Sequence, residues 1–212
     1  MTSTPSSQSR LFLNLSPTAI GFILAIVGTA LFSLKSIFIK LAYVEGLNAD
    51  SVLMLRMAIA LPIYLIILAW LIKQYTQPDT GSKGIIPTLT TITLLGFIGY
   101  YLSSWLDLKG LEMISAQLER LTLFTYPMLV AILGALFFKT PITRKILYAL
   151  VISYSGLLMV FLEESTLAGD EVSLGTLLVF LAALSFSFYV LFGKPLIHQV
   201  GSLWFTSIAM TA

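Results

Sequence analysis

The sequence predicts an all-α fold, a polytopic helical membrane bundle. Hydrophobic residues make up 58% of the 212 residues and charged residues only 10%, against roughly 25% charged in an ordinary soluble domain. The mean hydropathy is +0.95. The apolar residues fall in runs close to the roughly 20 residues that a helix needs to cross a bilayer. They do not form the alternating segments of about 10 residues that are typical of an outer-membrane barrel.

Seven apolar runs follow a polar, serine-rich tail. The tail covers residues 1–17 and has the composition of a disordered cytoplasmic segment, with no cleavage site of a signal peptide. Six complete spans are predicted after it: 18–42, 51–73, 86–106, 112–138, 143–162 and 174–194. A seventh run begins near residue 202 and is too short to cross a membrane about 30 Å thick. We therefore expect the given sequence to stop inside a helix.

Loop charges predict the orientation, because Lys and Arg concentrate in cytoplasmic loops. One side of the predicted membrane collects seven basic residues: Arg10, Lys73, Lys83, Lys139, Arg144, Lys145 and Lys194. The other side has only Lys40 and Lys109, together with acidic residues that include Asp107 and Glu112. The protein is therefore expected in the inner (plasma) membrane, with its N-terminus in the cytoplasm.

Several function classes have little support in the sequence. The chain has no cysteine and a single histidine, His198, so neither a disulfide nor a metal site is expected. The pattern G-x-x-x-x-G-K-[ST] is absent, which argues against direct ATP drive, and no catalytic motif such as H-E-x-x-H or G-x-S-x-G occurs. We predict no enzyme activity, no cofactor and no nucleic-acid partner. The expected partners are a small-molecule substrate and the lipid bilayer, and the oligomeric state stays open.

An internal repeat is indicated by the first and sixth spans. Shifting Gly21–Lys40 by 154 positions lays it on Gly175–Lys194, with six identities in twenty positions. These pairs are Gly21/Gly175, Leu24/Leu178, Phe32/Phe186, Ser33/Ser187, Phe38/Phe192 and Lys40/Lys194. A repeat unit of five helices inverts its second copy in the membrane, and the loop charges independently require the same inversion. Inverted repeats are typical of transporters that work by alternating access, with the substrate held between the copies.

The sequence resembles the EamA-type domain of the drug/metabolite transporter superfamily. The first span has the form G-x-x-L-A…F-S-x-K…K-L-A-Y, the second carries Leu55-Arg56-Met57, and the fourth reads I-S-A…Y-P…L-G-A. The resemblance implies a complete first domain over residues 18–163 and the start of a second domain over residues 174–212. It also implies ten helices in the whole protein, a central cavity between the domains and a small metabolite, such as an amino acid, as substrate. Many such domains carry an acidic residue where Phe138-Lys139-Thr140-Pro141 stands here, so no role of that carboxylate is transferred.

Four charged residues lie well inside predicted spans, away from the span ends, where a charge costs about 2.5 kcal/mol or more unless it faces the bundle interior or water. At 1.5 Å per residue, Lys35, Arg56, Glu119 and Arg120 fall in one layer near the outer third of the membrane. Three bases and one acid leave that layer with an excess charge of +2, which a bound anion or zwitterion would offset. Because adjacent side chains on a helix do not face each other, no mutual contact is expected between Glu119 and Arg120.

Polar and aromatic side chains on the same helix faces complete the candidate site. The predicted substrate-binding residues are Lys35, Arg56, Glu119, Arg120, Tyr126, Ser103 and Tyr100. Lys35, Arg56 and Arg120 would attract an acidic group, while Glu119 would bind an amino group or carry a coupling proton. The function predicted from these residues is a secondary transporter, with export as the expected direction, of an amino acid or organic anion. The alternative is a non-transporting scaffold or sensor in which the same charges only fix helix packing.

Overall fold

The computed structural model describes residues 17–74, 84–141, 143–168 and 170–211, and no strand occurs among them. The helices are α1 (Pro17–Val44), α2 (Ala49–Gln74), α3 (Ile85–Gly96), α4 (Ser103–Met113), α5 (Ala116–Leu123), α6 (Tyr126–Phe138), α7 (Arg144–Ala168), α8 (Asp170–Val200) and α9 (Ser202–Thr211). A π-helical segment, Phe97–Leu102, joins α3 to α4. The predicted tail, residues 1–17, lies outside the described residues except for Pro17.

Six segments in the described part of the chain are long and apolar enough to cross a membrane. They are Thr18–Val44, Ala49–Lys73, Ile86–Met113, Ala116–Phe138, Arg144–Glu163 and Glu171–Val200. The predicted all-α polytopic bundle is thereby confirmed. Long apolar side chains remain exposed along α1, α2 and α7, as expected of helices whose outer faces contact lipid.

The third span is longer than the sequence predicted. Its helical structure continues through α4 to Met113, so the predicted end at residue 106 was wrong and Asp107 belongs to a helix instead of an outer loop. The polar residues of this last stretch are held by neighbouring helices. The Tyr43 hydroxyl donates to the Leu108 carbonyl at 2.9 Å, and Lys109 contacts Asp50 of α2 at 3.2 Å.

The fourth span was predicted as 112–138, but it begins at Ala116, because residues 112 and 113 belong to α4. It consists of two helices, α5 and α6, with a break between them. Ser115 caps α5 by accepting a hydrogen bond from the Leu118 N–H at 3.0 Å. The break follows Leu123, and Pro127 then stands in the first turn of α6. A proline inside a continuous helix would clash with the carbonyl four residues earlier, here that of Leu123, whereas the first turn tolerates it.

Helix α8 forms the centre of the described bundle. It packs along α4 and also contacts α3, α5, α6, α7, α9 and the π segment. Glycines permit the closest approach to α4, because Gly110 lies against the backbone of Gly175 and the side chain of Val179. Helix α1 packs against α4 and α5. This arrangement brings the charged positions of α1, α4 and α5 together.

Candidate functional site

A cavity of about 250 Å³ lies among α1, α2, the π segment, α4, α5, α6 and α8. Most of its lining is apolar, and it is named the polar cavity after the three charged side chains in its wall. The residues that line it are Phe32, Lys35, Arg56, Gly99, Tyr100, Ser103, Ser104, Asp107, Leu123, Phe124, Tyr126 and Phe186. Aromatic rings form much of its wall, and two basic side chains and one acidic side chain supply its charge. The volume is somewhat below the roughly 300–1,000 Å³ that is typical of sites for drug-sized ligands.

An ion pair between α1 and α4 forms the charged centre of this cavity. Lys35 Nζ lies 2.6 Å from Asp107 Oδ2, and both side chains are largely withdrawn from solvent, with 20% and 4% of their surface exposed. Charge-assisted hydrogen bonds of this length are among the stronger polar contacts in proteins. The pair joins the first span to the third across the cavity wall.

Glu119 lies behind this pair and is fully buried. Its Oε2 accepts a hydrogen bond from the Ser36 hydroxyl at 2.7 Å, and its Oε1 lies 4.0 Å from Lys35 Nζ. The ammonium group of Lys35 therefore has carboxylates of two different helices within 4.0 Å, one in the cavity wall and one behind it.

Arg120 extends from α5 toward α1. Its Nε lies 3.4 Å from Glu119 Oε2, so the expectation that these neighbours do not contact each other was wrong. The rule for adjacent residues concerns the directions of their Cβ atoms, but the arginine side chain is long enough to bend back to its neighbour. The guanidinium group also stacks over the Phe32 ring, with Cζ 4.5 Å from the ring centroid.

Several buried polar atoms around the cavity have no hydrogen-bond partner among the described residues. On the cationic side they are Nη1 of Arg56 and all three nitrogens of Arg120, and on the anionic side they are Oδ1 of Asp107 and Oε1 of Glu119. An unmet buried polar group costs about 1–3 kcal/mol, and more when it is charged. The region thus offers both donors and acceptors that the described protein leaves unused.

Five of the seven predicted site residues line the cavity: Lys35, Arg56, Tyr100, Ser103 and Tyr126. The other two, Glu119 and Arg120, contact residues of its wall without lining it themselves. Two of the hydroxyl groups are already engaged in the described structure. Ser103 donates to the Ala182 carbonyl at 3.0 Å, and the Tyr100 hydroxyl accepts from Tyr189 at 3.1 Å.

Asp107 is the main site residue that the sequence interpretation missed. It lies one helical turn after Ser103, at the spacing that places Gly96, Gly99 and Ser103 on one helix face. Extending this face past residue 106 would have found Asp107. Its carboxylate changes the charge of the layer: the three bases Lys35, Arg56 and Arg120 now face two acids, which leaves +1 instead of +2.

A wider groove adjoins the polar cavity. It encloses about 660 Å³ between α2, the π segment and α9, and it is lined mainly by apolar side chains such as Leu53, Met57 and Phe97. Tyr100 lines both spaces. In the described parts of the chain no three His, Asp or Glu side chains are grouped so that they could hold a metal ion.

Comparisons with known proteins relate this chain to transporters. A family model described as the EamA-like transporter family matches residues 19–162. The chain is also similar to a Bacillus subtilis (strain 168) protein described as "Uncharacterized transporter YcbK". The two are 30% identical over 194 residues, which is 92% of this chain and 61% of the relative. The chain therefore spans less than two thirds of the length of that relative. No solved structure matches the chain.

Proposed function

Because the chain belongs to the EamA-like transporter family, we propose that it acts as a secondary transporter of a small polar metabolite such as an amino acid or an organic anion. The proposed direction is export across the inner membrane, with the N-terminus in the cytoplasm. Alternating access between this first domain and an inverted second domain, which starts near residue 174, is the proposed mechanism.

The observation that carries the proposal is the set of unused polar groups around the 250 Å³ cavity. Arg56 supplies a buried N–H without an acceptor, and Asp107 supplies a carboxylate oxygen without a donor. A molecule that carries an acidic group and an amino group can meet both needs, and charged groups in a membrane interior require such compensation. The size of the cavity suits a molecule smaller than a typical drug.

In the proposed cycle, the ion pair of Lys35 and Asp107 opens to admit the substrate. The substrate carboxylate contacts Lys35 and Arg56, while its amino group contacts Asp107. Glu119 lies 4.0 Å from Lys35, so the ammonium group has a second carboxylate available when Asp107 is occupied. When Lys35 instead pairs with Asp107, the Glu119 carboxylate has no cation to itself, and a proton that binds to it neutralises its charge. Binding and release of this proton would couple transport to a proton gradient.

A scaffold whose charges only fix helix packing is less consistent with this site. Buried charges that serve only helix packing contribute most to stability when each one is paired and its hydrogen bonds are satisfied. Here the guanidinium groups of Arg56 and Arg120 retain buried nitrogens without hydrogen-bond partners in the described chain. Such groups cost stability, and a site for a ligand that is bound only transiently accounts for them.

Uptake into proteoliposomes tests the proposal. The protein is reconstituted with both proposed domains complete, and it is assayed with radiolabelled L-serine, L-threonine, L-aspartate and lactate, with and without an imposed pH gradient. We expect saturable uptake of at least one solute, loss of that uptake in Lys35→Gln and Asp107→Asn, and loss of the pH-gradient dependence in Glu119→Gln. The matched control is Lys145→Gln, which removes an exposed lysine at the start of α7 and should transport normally.

Two results would contradict the proposed transport function. One is folded protein that moves none of the four solutes. The other is a set of cavity variants that lose stability as expected of packing residues while the remaining folded protein transports at the wild-type rate. Uptake that ignores the gradient in both the wild type and Glu119→Gln would reject the proton-coupling role alone.

A further inference from the structure

Phe32 of α1 lies between the polar cavity and the guanidinium group of Arg120. Its ring lines the cavity, and its centroid lies 4.5 Å from Arg120 Cζ and 5.4 Å from Lys35 Nζ. Lys35 lines the cavity as well, but Arg120 does not. One aromatic ring therefore contacts both a cation that lines the cavity, Lys35, and a second cation behind it, Arg120.

The Arg120 guanidinium lies near one carboxylate but makes no hydrogen bond within the described chain. Only 12% of its side-chain surface is exposed, and none of its three guanidinium nitrogens has a hydrogen-bond partner in the described chain. Glu119 Oε2 lies 3.4 Å from Arg120 Nε and accepts its hydrogen bond from Ser36 instead. A guanidinium group has five N–H donors, and the face of a phenylalanine ring attracts its charge without accepting those hydrogens directionally. The guanidinium is thus held close to the cavity with its donors unused.

Phe186 of α8 provides an internal comparison. It is related to Phe32 by the 154-residue shift of the repeat and lines the same cavity. Its ring packs on aromatic neighbours instead of cations, with centroid distances of 5.1 Å to Tyr126 and 5.7 Å to Tyr189. Of these two cavity phenylalanines, Phe32 contacts cations within the described residues, and Phe186 contacts aromatic rings.

We propose that Phe32 is a specificity-determining residue that sets how many acidic groups the cavity accepts. With the ring in place, an acidic group meets Lys35 and Arg56 only. When the ring turns away or is removed, Arg120 becomes a second cationic position that can receive a further carboxylate, bidentately as guanidinium groups favour. The wild-type cavity therefore selects solutes with one acidic group over dicarboxylates. This inference rests on the proposed function only in treating the cavity as the substrate site.

Chemical modification of Arg120 tests the inference without a transport assay. The full chain in liposomes is treated with butane-2,3-dione, and modification of each arginine is followed by peptide mass spectrometry, with exposed Arg144 as the internal reference. We expect Arg120 to react about tenfold faster in Phe32→Ala than in wild type, with Phe32→Leu between them, because the ring that covers the guanidinium is lost. Phe186→Ala should leave the rate unchanged. Succinate should protect Arg120 of Phe32→Ala more strongly than acetate at the same concentration.

The inference is overturned if wild-type Arg120 already reacts as fast as Arg144, if Phe32→Ala leaves its rate unchanged, or if Phe186→Ala raises it equally. Equal protection by succinate and acetate would also overturn it. If Phe32→Ala does not elute as folded protein, Phe32→Leu decides by the same criteria. A chain that shows the expected labelling but transports none of the four solutes would reject the proposed function and retain the role of Phe32 in shielding Arg120.

Discussion

Lys35 is shared between two carboxylates that come from different helices. Asp107 holds it at 2.6 Å in the cavity wall, and Glu119 lies 4.0 Å away behind that wall. Withdrawing such charges from water is costly, and only good geometry repays the cost. One ammonium group between two acids can move from one to the other over a short distance, so its position is the variable that a bound solute or a proton would change.

At this scale we expect the Lys35–Asp107 pair to be energetically coupled. Lys35→Met should lower the free energy of unfolding by about 3 kcal/mol, because it leaves a buried carboxylate without its partner. Adding Asp107→Leu should restore part of that loss. Unfolding in detergent, followed by tryptophan fluorescence, measures both variants and the single Asp107→Leu change.

The control for this comparison of single and double variants is Lys145→Met, which removes an exposed lysine and should leave stability nearly unchanged. If the two single losses simply add in the double variant, the carboxylate and the ammonium do not stabilise each other and the ion pair has no energetic role.

At the scale of elements, the crossing of α4 and α8 places the third span beside the centre of the bundle. A Cβ added at Gly110 would lie 2.6 Å from the Gly175 carbonyl oxygen, which is backbone and cannot rotate away. About two turns further along α8, the Ser185 hydroxyl donates to the Ile98 carbonyl in the π segment at 2.7 Å. A π segment changes which residues of a helix share a face, and here Tyr100, Ser103 and Asp107 all reach the cavity.

We expect Gly110→Ala to destabilise the bundle by about 1–3 kcal/mol, because α4 and α8 must separate to admit the methyl group. The matched control is Gly28→Ala in α1, where an added Cβ meets nothing within 4 Å. There alanine should stabilise the helix slightly, since it has the higher helix propensity. The same unfolding assay compares them, and equal effects of the two substitutions would show that close packing at Gly110 does not limit stability.

The spans were predictable from the sequence because a bilayer demands long apolar segments, and hydropathy records that demand directly. Their interruptions were less visible. The break before Tyr126 depends on where Pro127 falls relative to Leu123, and it lies inside a segment, Ala116–Phe138, that is apolar enough as a whole to pass for one continuous span. The extension of the third span to Met113 depends on partners from α1 and α2, such as Tyr43 and Asp50, which the sequence does not show to be near.

At the scale of the whole molecule, the candidate site was likewise predictable only where it depends on position along the chain, and not where it depends on neighbouring helices. The depth of each charge follows from counting residues along a helix, so Lys35, Arg56, Glu119 and Arg120 could be assigned to one layer. Which charges face the cavity depends on helix rotation and on neighbours, and this is why the position of Glu119 behind the wall could not be predicted. Asp107 was missed for another reason, because the third span was ended at residue 106. The resemblance to EamA-type transporters, recognised from short motifs, is confirmed by the family match over residues 19–162.

The orientation of the molecule remains a prediction, and the absence of cysteine makes it directly testable. A single cysteine replaces either exposed Glu45, between α1 and α2, or exposed Thr143, just before α7. With the N-terminus inside, a membrane-impermeant maleimide added to intact spheroplasts should label Glu45→Cys and should label Thr143→Cys only after lysis. The cysteine-free parent chain controls for background labelling. Because basic residues determine topology through the loops that stay in the cytoplasm, the reverse pattern would mean that the loop charges were misread and that the proposed export runs through an inverted molecule.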